Sequence, residues 1–346
     1  MRVKTENTIY DCIIIGAGSV GYGTAMYNGR FGMKTLVLGD MPGGTIILTH
    51  VVENYPGFIR LTGQELADKL REHALDYKNW VEMKEDKAID VKKKDKLFVV
   101  KTESGEFLTK TLIFATGTRV RKLGIPGEDE FTNRGVSYCA LCDGALFRGK
   151  TIVVVGGSDS AAKEALLLTE YAKKVYITCR GEKIRPEPIN MERIGEKIKE
   201  GKIEIINGVN ILGIKGDKSV KKIVLDKPYK GKKEFPTDGV FIEIGHIPLS
   251  ELAAKLGAKT NDKGEIVIDR ESKTNVPGVF AAGDVVDTRF KQAITGIGEG
   301  VSASYSAYQY LKENEKILPT TGEGYEKFNE KVPEKEMKRI VAKIKK

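Results

Sequence analysis

The sequence predicts an α/β protein built from two similar units, each with a parallel β-sheet covered by helices on both faces. Two glycine-rich turns, Gly16–Gly21 and Gly156–Ala161, each follow a short apolar run and precede a segment of helical character. A strand, a glycine turn and a helix in this order open a Rossmann-like, three-layer dinucleotide-binding domain. At 346 residues, the chain is long enough for two such domains.

The first unit begins with an apolar strand over Tyr10–Ile15, followed by a helix that ends near Arg30. A second strand is predicted at Lys34–Leu38. Between 81 and 110, short strand-like runs alternate with Lys, Asp and Gly turns, which predicts a β-meander. The run Thr111–Gly117 then returns to the parallel sheet.

The second unit repeats this pattern. An apolar strand at Thr151–Val155 precedes a helix over 160–171 and a strand at Lys174–Thr178. Short strands within 203–233 predict a second β-meander, and the run Gly239–Gly245 closes the unit. The repetition indicates a duplicated domain rather than a solenoid.

A third run of the first type, Gly278–Asp284, follows the second unit. We therefore predict that the first domain is discontinuous and that the second is inserted into it. The predicted segments are 1–118 and 248–320 for the first domain, 119–247 for the second and 321–346 for a charged C-terminal tail. The tail has four apolar residues at the spacing of a short amphipathic helix, which are Met337, Ile340, Val341 and Ile344.

Composition and charge exclude several functional classes. The chain has 57 basic and 48 acidic residues, a net charge of +9. The excess lysines are scattered in predicted turns and are not interleaved with aromatic residues, so we expect no nucleic-acid binding. No apolar run reaches the roughly 18 residues of a membrane span, and the N-terminus does not resemble a signal peptide. We expect a cytoplasmic protein that does not bind membranes.

Four cysteines are present. Cys12 and Cys179 lie within or at the end of apolar runs and are expected to be buried core thiols. Cys139 and Cys142 form a Cys-x-x-Cys pair that is directly followed by Asp143. The sequence has no second pair of this kind and no paired histidines, as a structural zinc site needs. We therefore predict a redox-active dithiol and no metal.

The first glycine turn has the residues that a dinucleotide requires. Gly16 allows the tight turn, Gly18 lets the backbone approach the pyrophosphate, and Gly21 packs the helix on the strand. The helix N-terminus then faces the anion. The acidic residue expected after the second strand is displaced by Gly39, so Asp40 is the candidate for the adenosine ribose.

Further candidates for cofactor binding lie in two later segments. Gly43 and Gly44 permit close approach of the backbone, and Asn54 offers a donor and an acceptor that suit a flavin. In the second segment, we predict that a carboxylate binds the ribityl hydroxyls and that a helix N-terminus faces the flavin. Its candidate residues are Gly283, Asp284, Gln292, Ala293 and Ile294. One dithiol between two dinucleotide-binding units predicts electron transfer from a soluble cofactor, through a flavin, to a disulfide.

Together these motifs resemble the low-molecular-weight thioredoxin reductases of the bacterial and archaeal type, from about residue 9 to about residue 315. Larger disulfide reductases of the glutathione-reductase type differ, because they carry their cysteines in the first domain. The resemblance rests on the glycine turn at 16–21, on Glu53–Gly57, on Ala115, Thr116 and Gly117, on Cys139–Gly144, and on Gly283–Asp284 followed by Gln292–Thr295.

The resemblance implies a homodimeric, FAD-dependent enzyme that reduces thioredoxin or a thioredoxin-like protein. Cys142 would lie against the flavin and receive electrons, and Cys139 would attack the disulfide of the partner. Asp143 would exchange a proton with the departing thiolate. The first domain would bind FAD and the inserted domain the nicotinamide nucleotide. Rotation at the crossings near 119 and 248 would present the dithiol and the nicotinamide to the flavin in turn.

The second glycine turn departs from the family pattern. The resemblance implies that the nucleotide is bound by Gly156, Ser158, Ser160, Ala161, Arg180 and Arg185. Ser158 stands where the family has a glycine, so its Cβ would crowd the pyrophosphate. Gly181 replaces one of two adjacent arginines, and losing a bidentate phosphate contact costs about 1–3 kcal/mol. NADPH, NADH and another donor, such as reduced ferredoxin or a deazaflavin, all stay open.

Two other functions are compatible with the motifs. The protein could be a flavin-dependent reductase of another disulfide or of a peroxiredoxin system, or a redox-sensing flavoprotein without catalytic activity. Asp143, directly after the dithiol, favours an enzyme because a sensor does not need the acid.

Overall fold

The computed structural model describes residues 4–314, with side chains from residue 8. Contacts between Cα atoms divide the chain into two compact units. The first comprises the chain up to Thr118 and from Pro248 onward, and the second is Arg119–Ile247. The amphipathic helix predicted at 337–344 lies outside the described residues.

The described residues form strands over the following ranges: β1 (Lys4–Ile15), β2 (Thr35–Leu38), β3 (Val81–Lys84), β4 (Ala88–Lys94), β5 (Leu97–Thr102), β6 (Gly105–Phe114), β7 (Thr118–Val120), β8 (Val136–Ser137), β9 (Thr151–Val155), β10 (Lys174–Cys179), β11 (Ile203–Asn207), β12 (Ile211–Gly216), β13 (Val220–Tyr229), β14 (Lys232–Pro236), β15 (Gly239–Ile242), β16 (His246–Pro248) and β17 (Val279–Ala281).

The α-helices are α1 (Ser19–Arg30), α2 (Gly63–Asp76), α3 (Ala140–Asp143), α4 (Asp159–Leu168), α5 (Pro188–Lys199), α6 (Glu251–Lys255) and α7 (Ala293–Glu313), and short 3₁₀ helices span Gly44–Leu48 and Gly144–Phe147.

The first unit has parallel strands in the order β3-β2-β1-β6-β17, extended by the antiparallel strands β5 and β4. Strand β6 connects the two parts. Strand β1 runs along one edge of β6 in parallel. Along the other edge, Glu106–Thr109 pair with β5 in antiparallel fashion and Leu112–Phe114 pair with β17 in parallel. The predicted β-meander is therefore continuous with the parallel sheet through β6.

Strand β1 is buried on both faces. Ile13 and Ile15 contact one core cluster, and Cys12 and Ile14 contact another. Parallel strands covered on both faces read as continuous apolar runs, which is the pattern seen in the sequence. Burial raises the pKa of the Cys12 thiol to about 12, so the prediction of a core thiol is confirmed.

Two elements of the first unit differ from expectation. Strand β1 begins at Lys4 rather than Tyr10, because its polar first residues pair with the start of β6 and carry no apolar signal. Helix α2 was not predicted. Its N-terminus has a capping box, in which Thr62 and Glu65 each bind the backbone amide of the other, and this Thr-x-x-Glu pattern is a signal that could have found it.

The second unit has five parallel strands in the order β11-β10-β9-β15-β8 and an antiparallel sheet of β12, β13 and β14. Helices α4 and α5 pack beside the parallel sheet. The short edge strand β8 leads directly into the Cys-x-x-Cys segment, so the dithiol lies at the carboxyl end of a parallel strand. The predicted α/β fold with two Rossmann-like units is confirmed. Where the chain crosses between the units, β7 pairs with β16.

Helices α1 and α7 of the first unit pack at very close range. A Cβ on Gly300 would lie 2.2 Å from Oγ1 of Thr24, and one on Gly23 would lie 2.7 Å from Ile297. The hydroxyl of Ser304 donates to the carbonyl oxygen of Thr24 at 3.0 Å. Small residues on both helices therefore set their separation.

This packing predicts that Gly300→Ala destabilises the protein, because the new methyl group forces the two helices apart. We expect a loss of about 1–3 kcal/mol in the free energy of unfolding, the range typical of overpacking. Gly298→Ala, in the same helix, is the control. Its Cβ would meet nothing within 4 Å, so helix propensity should stabilise the protein by about 0.5–1 kcal/mol. Urea unfolding followed by circular dichroism measures both, and equal effects would contradict the packing argument.

Candidate active site

The first glycine turn is fixed by contacts between backbone atoms. Gly16 has a φ of +123°, which favours glycine, and a Cβ there would lie 2.1 Å from the carbonyl oxygen of Ala115. A Cβ on Gly21 would lie 1.9 Å from the carbonyl oxygen of Gly16. The end of β1, the end of β6 and the first turn of α1 are thus held together without side chains.

Gly43 and Gly44 close the other side of this turn. Gly18 and Gly43 form an isolated parallel β-bridge. A Cβ on Gly44 would lie 2.8 Å from the Cα of Gly18. The amide of Gly43 donates to the carbonyl oxygen of Ala17 at 2.8 Å and to the hydroxyl of Tyr22 at 3.0 Å. The structure therefore brings the predicted glycines together, and their surface carries no side chains.

The N-terminus of α1 is open to an anion. Gly18 is the N-cap residue, so no side chain caps the helix, and the first turn holds no acidic residue. The first N–H groups of a helix have no partner within the helix and carry its positive dipole end. This cradle of glycine backbone at a helix N-terminus fits a pyrophosphate.

Asp40 lies on the surface beyond β2. Its carboxylate forms an ion pair with Nζ of Lys87 at 3.3 Å, and 59% of its side chain is exposed. A Cβ on Gly39 would lie 2.6 Å from the amide nitrogen of Ala17. An acidic side chain directly after β2 would therefore collide with the glycine turn, which explains why the acid comes one residue later.

Asn54 and Gln292, which are distant in sequence, contact each other. Nδ2 of Asn54 donates to Oε1 of Gln292 at 2.8 Å. Gln292 is the N-cap residue of α7, and Ala293 and Ile294 begin that helix, whose first turn has no acidic residue. Two amide side chains and an uncapped helix N-terminus therefore lie together. Such a group of donors and acceptors is suited to binding a polar ring system.

The segment after β17 is tied to α7 by a carboxylate that the sequence did not single out. The amide of Gly283 donates to Oε2 of Glu299 at 2.8 Å, and the hydroxyl of Thr288 also donates to this carboxylate. The next residue, Asp284, is exposed. Nζ of Lys291 donates to the carbonyl oxygen of Asp284 at 2.9 Å. Glu299 therefore positions the turn that carries Asp284.

Thr116 and Gly117 hold the returning chain. The hydroxyl of Thr116 donates to the carbonyl oxygen of Leu249 at 2.6 Å, and the amide of Leu249 donates to the carbonyl oxygen of Gly117 at 3.0 Å. Ala115 is buried behind the glycine turn. These residues connect the end of β6 to the second part of the first unit.

Cys139 and Cys142 form a disulfide with a Cα–Cα distance of 5.4 Å. Cys139 is the N-cap residue of α3, and its Sγ accepts the amide N–H of Cys142 at 3.1 Å. A sulfur atom at a helix N-terminus is favoured as a thiolate once the disulfide is reduced.

Asp143 is held by a residue that sequence analysis missed. The hydroxyl of Ser137 donates to Oδ2 of Asp143 at 2.6 Å. The same hydroxyl oxygen accepts the amide N–H of Cys139 at 3.1 Å. Ser137 is only 4% exposed, at the end of β8. One buried serine thus connects the first cysteine to the candidate acid, and its position at a strand end before the dithiol was the available signal.

A second missed residue, Glu164, lies on α4. Its Oε2 accepts the amide N–H of Ala140, between the two cysteines, at 2.5 Å. Burial raises the pKa of Glu164 to about 7. Burial and the negative charge of Glu164 raise the pKa of Glu243, just after β15, to about 8. No sequence motif pointed to these two carboxyl groups.

The second glycine turn repeats the geometry of the first. A Cβ on Gly156 would lie 2.1 Å from the carbonyl oxygen of Glu243 and 2.9 Å from the buried Ala161. Ser158 is the exposed N-cap residue of α4, and its hydroxyl makes no capping hydrogen bond. Ser160, also exposed, lies in the first turn of the helix. The Cβ of Ser158 thus lies at the N-terminus of α4.

The segment after β10 covers one side of this turn. The amide of Arg185 donates to the carbonyl oxygen of Gly157 at 2.7 Å. The side chains of Arg180 and Arg185 are exposed. Cys179 is buried, and its thiol donates to Oδ1 of Asn207 at 3.1 Å, which confirms the second core thiol.

Within 4–314, no three His, Cys, Asp or Glu side chains group as metal ligands. In the same part of the chain, no helix has the length and apolarity to cross a membrane.

Comparison with known proteins identifies the family. The family model of the pyridine nucleotide-disulphide oxidoreductases matches residues 10–300. Thioredoxin reductases from Listeria innocua and Bacillus subtilis are each 40% identical over 319 residues, covering 91% of this chain and 98% and 99% of theirs. The crystal structure of Lactococcus lactis thioredoxin reductase is 41% identical, with a TM-score of 0.83, covering 88% of this chain and 99% of that one.

A thioredoxin reductase from T. acidophilum is 35% identical, with a TM-score of 0.81, over 87% of this chain and 98% of that one. The predicted resemblance to low-molecular-weight thioredoxin reductases is confirmed. Family membership implies a flavin and a nicotinamide nucleotide as cofactors. With its paired dinucleotide-binding units and its Cys139–Cys142 disulfide, the chain belongs to the pyridine nucleotide-disulphide oxidoreductase family.

Proposed function

We propose that the protein is an FAD-dependent thioredoxin reductase, in which electrons pass from a nicotinamide nucleotide through FAD to Cys139 and Cys142. The observation that carries the proposal is the disulfide at the N-terminus of α3, with Asp143 held beside it by Ser137. The substrate is the disulfide of thioredoxin or of a thioredoxin-like protein, as the names of the relatives indicate.

FAD is bound by the first unit. The backbone of Gly16, Gly18 and Gly21 receives the pyrophosphate at the N-terminus of α1, opposite Gly43 and Gly44. This proposal is supported by the glycine cradle, which leaves room for a phosphate, and by the absence of an acidic side chain in the first turn. Asp40 binds the adenosine ribose, and its exposed carboxylate is free to exchange Lys87 for hydroxyl groups.

The flavin end of the cofactor lies near the N-terminus of α7. Asn54 and Gln292 bind polar atoms of the ring, Ala293 and Ile294 offer the first N–H groups of the helix, and Asp284 binds the ribityl hydroxyls. The rest of the proposed FAD site is lined by backbone atoms of Ala115, Thr116, Gly117 and Gly283. When bound, the flavin supplies the two-electron chemistry that connects nucleotide and disulfide.

The dithiol carries electrons to the partner. In the reduced enzyme, the Cys139 thiolate attacks one sulfur of the partner disulfide, so a mixed disulfide forms and the second partner sulfur leaves. Asp143 supplies the proton that this leaving thiolate takes up. Cys142 then gives its proton to Asp143 and attacks the Cys139 sulfur of the mixed disulfide, which restores the enzyme disulfide. The partner sulfur that leaves takes this proton from Asp143, so the partner is released as a dithiol. Two electrons and two protons thereby reach the partner.

The second unit binds the electron donor. The turn that receives the nucleotide is formed by Gly156, Ser160 and Ala161. The Cβ of Ser158 narrows the space for the pyrophosphate. Arg180 and Arg185 are the cations available for a 2′-phosphate, since both side chains are exposed. We propose weak discrimination between NADPH and NADH, because Gly181 offers no second adjacent cation.

The assembly and location remain predictions. A homodimer, a cytoplasmic location, and FAD and nucleotide domains at 1–118 with 248–320 and at 119–247 are proposed from the family resemblance. The crossings near 119 and 248 are the proposed hinge for rotation of the inserted domain.

The function itself is tested by turnover. After reconstitution, the protein should hold about one FAD per chain and oxidise a nicotinamide nucleotide over many turnovers only when an oxidised thioredoxin is added. The rate is measured from nucleotide absorbance, with the thiols formed on thioredoxin counted in parallel. A flavin-loaded protein whose dithiol is reduced by the nucleotide but which reduces no thioredoxin would favour another disulfide partner.

The two cysteines are distinguished by single substitutions. Cys139→Ser and Cys142→Ser should both abolish thioredoxin reduction and leave reduction of the flavin by the donor intact. Only Cys139→Ser keeps the thiol that we place at the flavin. It should therefore show a long-wavelength absorbance band as pH is raised through about 8.5, the usual thiol pKa. If the long-wavelength band appears in Cys142→Ser and not in Cys139→Ser, the roles of the two cysteines are exchanged.

The donor site is tested by restoring the family pattern. Ser158→Gly relieves crowding common to both nucleotides, whereas Gly181→Arg meets only the 2′-phosphate. The double variant should raise selectivity for NADPH over NADH about tenfold, or about 1.4 kcal/mol, in kcat/KM. Ser158→Gly alone is the control and should improve both donors equally. Strong preference of the wild type for NADPH would show that Arg180 and Arg185 suffice, and failure of every variant with both nucleotides would point to another donor.

A further inference from the structure

The segment Cys139–Asp143 is held by two groups outside it. The amide of Cys139 donates to Oγ of Ser137, and the amide of Ala140 donates to Oε2 of Glu164. Glu164 belongs to α4, which packs against α3. Its carboxyl group therefore caps, from a neighbouring helix, the four-residue helix that begins between the two cysteines.

The surroundings of Glu164 are poor in positive charge. Across elements, the negative charge of Glu164 acts on Glu243, just after β15, and raises its pKa. Next to it on α4, Lys163 pairs with Asp159 at 2.8 Å. Within 4–314, no lysine or arginine forms an ion pair with Glu164 or Glu243, and no charged group of β9, β10 or α5 contributes to the pKa of Glu164.

We propose that Glu164 is a positioning residue of the dithiol, whose carboxyl group holds the Ala140 amide and, when ionised, places a negative charge next to Cys139. This role rests on the proposed thiol chemistry of Cys139. It is separate from that of Asp143, which is held by Ser137 and exchanges protons with the partner.

The consequence concerns the thiol of the reduced enzyme. A negative charge near Cys139 disfavours its thiolate and raises the pKa of the thiol. Because the pKa of Glu164 is raised to about 7, this charge appears just below the ordinary thiol pKa of about 8.5. Two interacting groups that titrate together spread their ionisation over a wider range than one group alone.

The test measures the rate at which Cys139 is alkylated by iodoacetamide between pH 5.5 and 9.5, in flavin-loaded, reduced protein. The Cys142→Ser background isolates Cys139, since Cys12 and Cys179 are buried. Glu164→Gln keeps an acceptor for the Ala140 amide but removes the charge. Glu170→Gln makes the same change of charge on an exposed residue just beyond α4. No nucleotide or thioredoxin is needed, so the result is independent of turnover.

We expect the unsubstituted background and Glu170→Gln to give a broad pH profile. Glu164→Gln should give a single ionisation with a midpoint about one pH unit lower, and so about twofold more thiolate at pH 7, where about half of the Glu164 carboxyl groups are ionised. Glu243→Gln, which leaves the Ala140 contact intact, should leave the profile unchanged below about pH 8, because Glu243 ionises after Glu164. A Glu164→Gln profile that matches that of Glu170→Gln would overturn the proposal. If Glu164→Gln does not fold, the unsubstituted background decides, because a single thiol ionisation there would also overturn the proposal.

Discussion

Both units depend on the same close contact between the ends of two neighbouring parallel strands. In the first unit, a Cβ on Gly16 would lie 2.1 Å from the carbonyl oxygen of Ala115, and in the second, a Cβ on Gly156 would lie 2.1 Å from that of Glu243. A residue without a side chain is the one that allows this approach. The chain then turns directly into α1 or α4, whose N-termini carry no capping side chain.

In the second unit this contact also determines the surroundings of the dithiol. Strand β15 pairs with β9 on one side and with β8 on the other, so the end of β8 lies one strand away from the glycine turn. Ser137 ends β8 and Glu243 follows β15. Residues on the carboxyl ends of parallel strands share one edge of the sheet, the usual position of a site in such folds. The second glycine turn, Glu243 and the segment that leads into the dithiol therefore lie at one edge of the same sheet.

The sequence was informative where function depends on local pattern. The glycine turns, the Cys-x-x-Cys pair and the parallel strands were predicted because each has its own spacing and apolar run. The contacts of Asn54 with Gln292 and of Glu164 with Ala140 join segments that only the fold brings together. Nothing in the spacing of either pair encodes the contact. Helix α2 differs from these contacts, because its capping box of Thr62 and Glu65 is a local signal that the sequence does contain.

The carboxyl groups beside the dithiol oppose folding when they are ionised. In the folded protein the pKa of Glu164 is raised to about 7 and that of Glu243 to about 8, against an ordinary value of 4.5. Each group holds its proton more tightly in the folded than in the unfolded chain. Their contribution to the free energy of unfolding therefore falls as pH rises from about 4.5 to about 8. Asp159 acts in the opposite direction, because its hydrogen bonds lower its pKa. A loss of stability between about pH 4.5 and 8 is tolerable at a site where, as we propose, the charge of Glu164 tunes the thiol of Cys139.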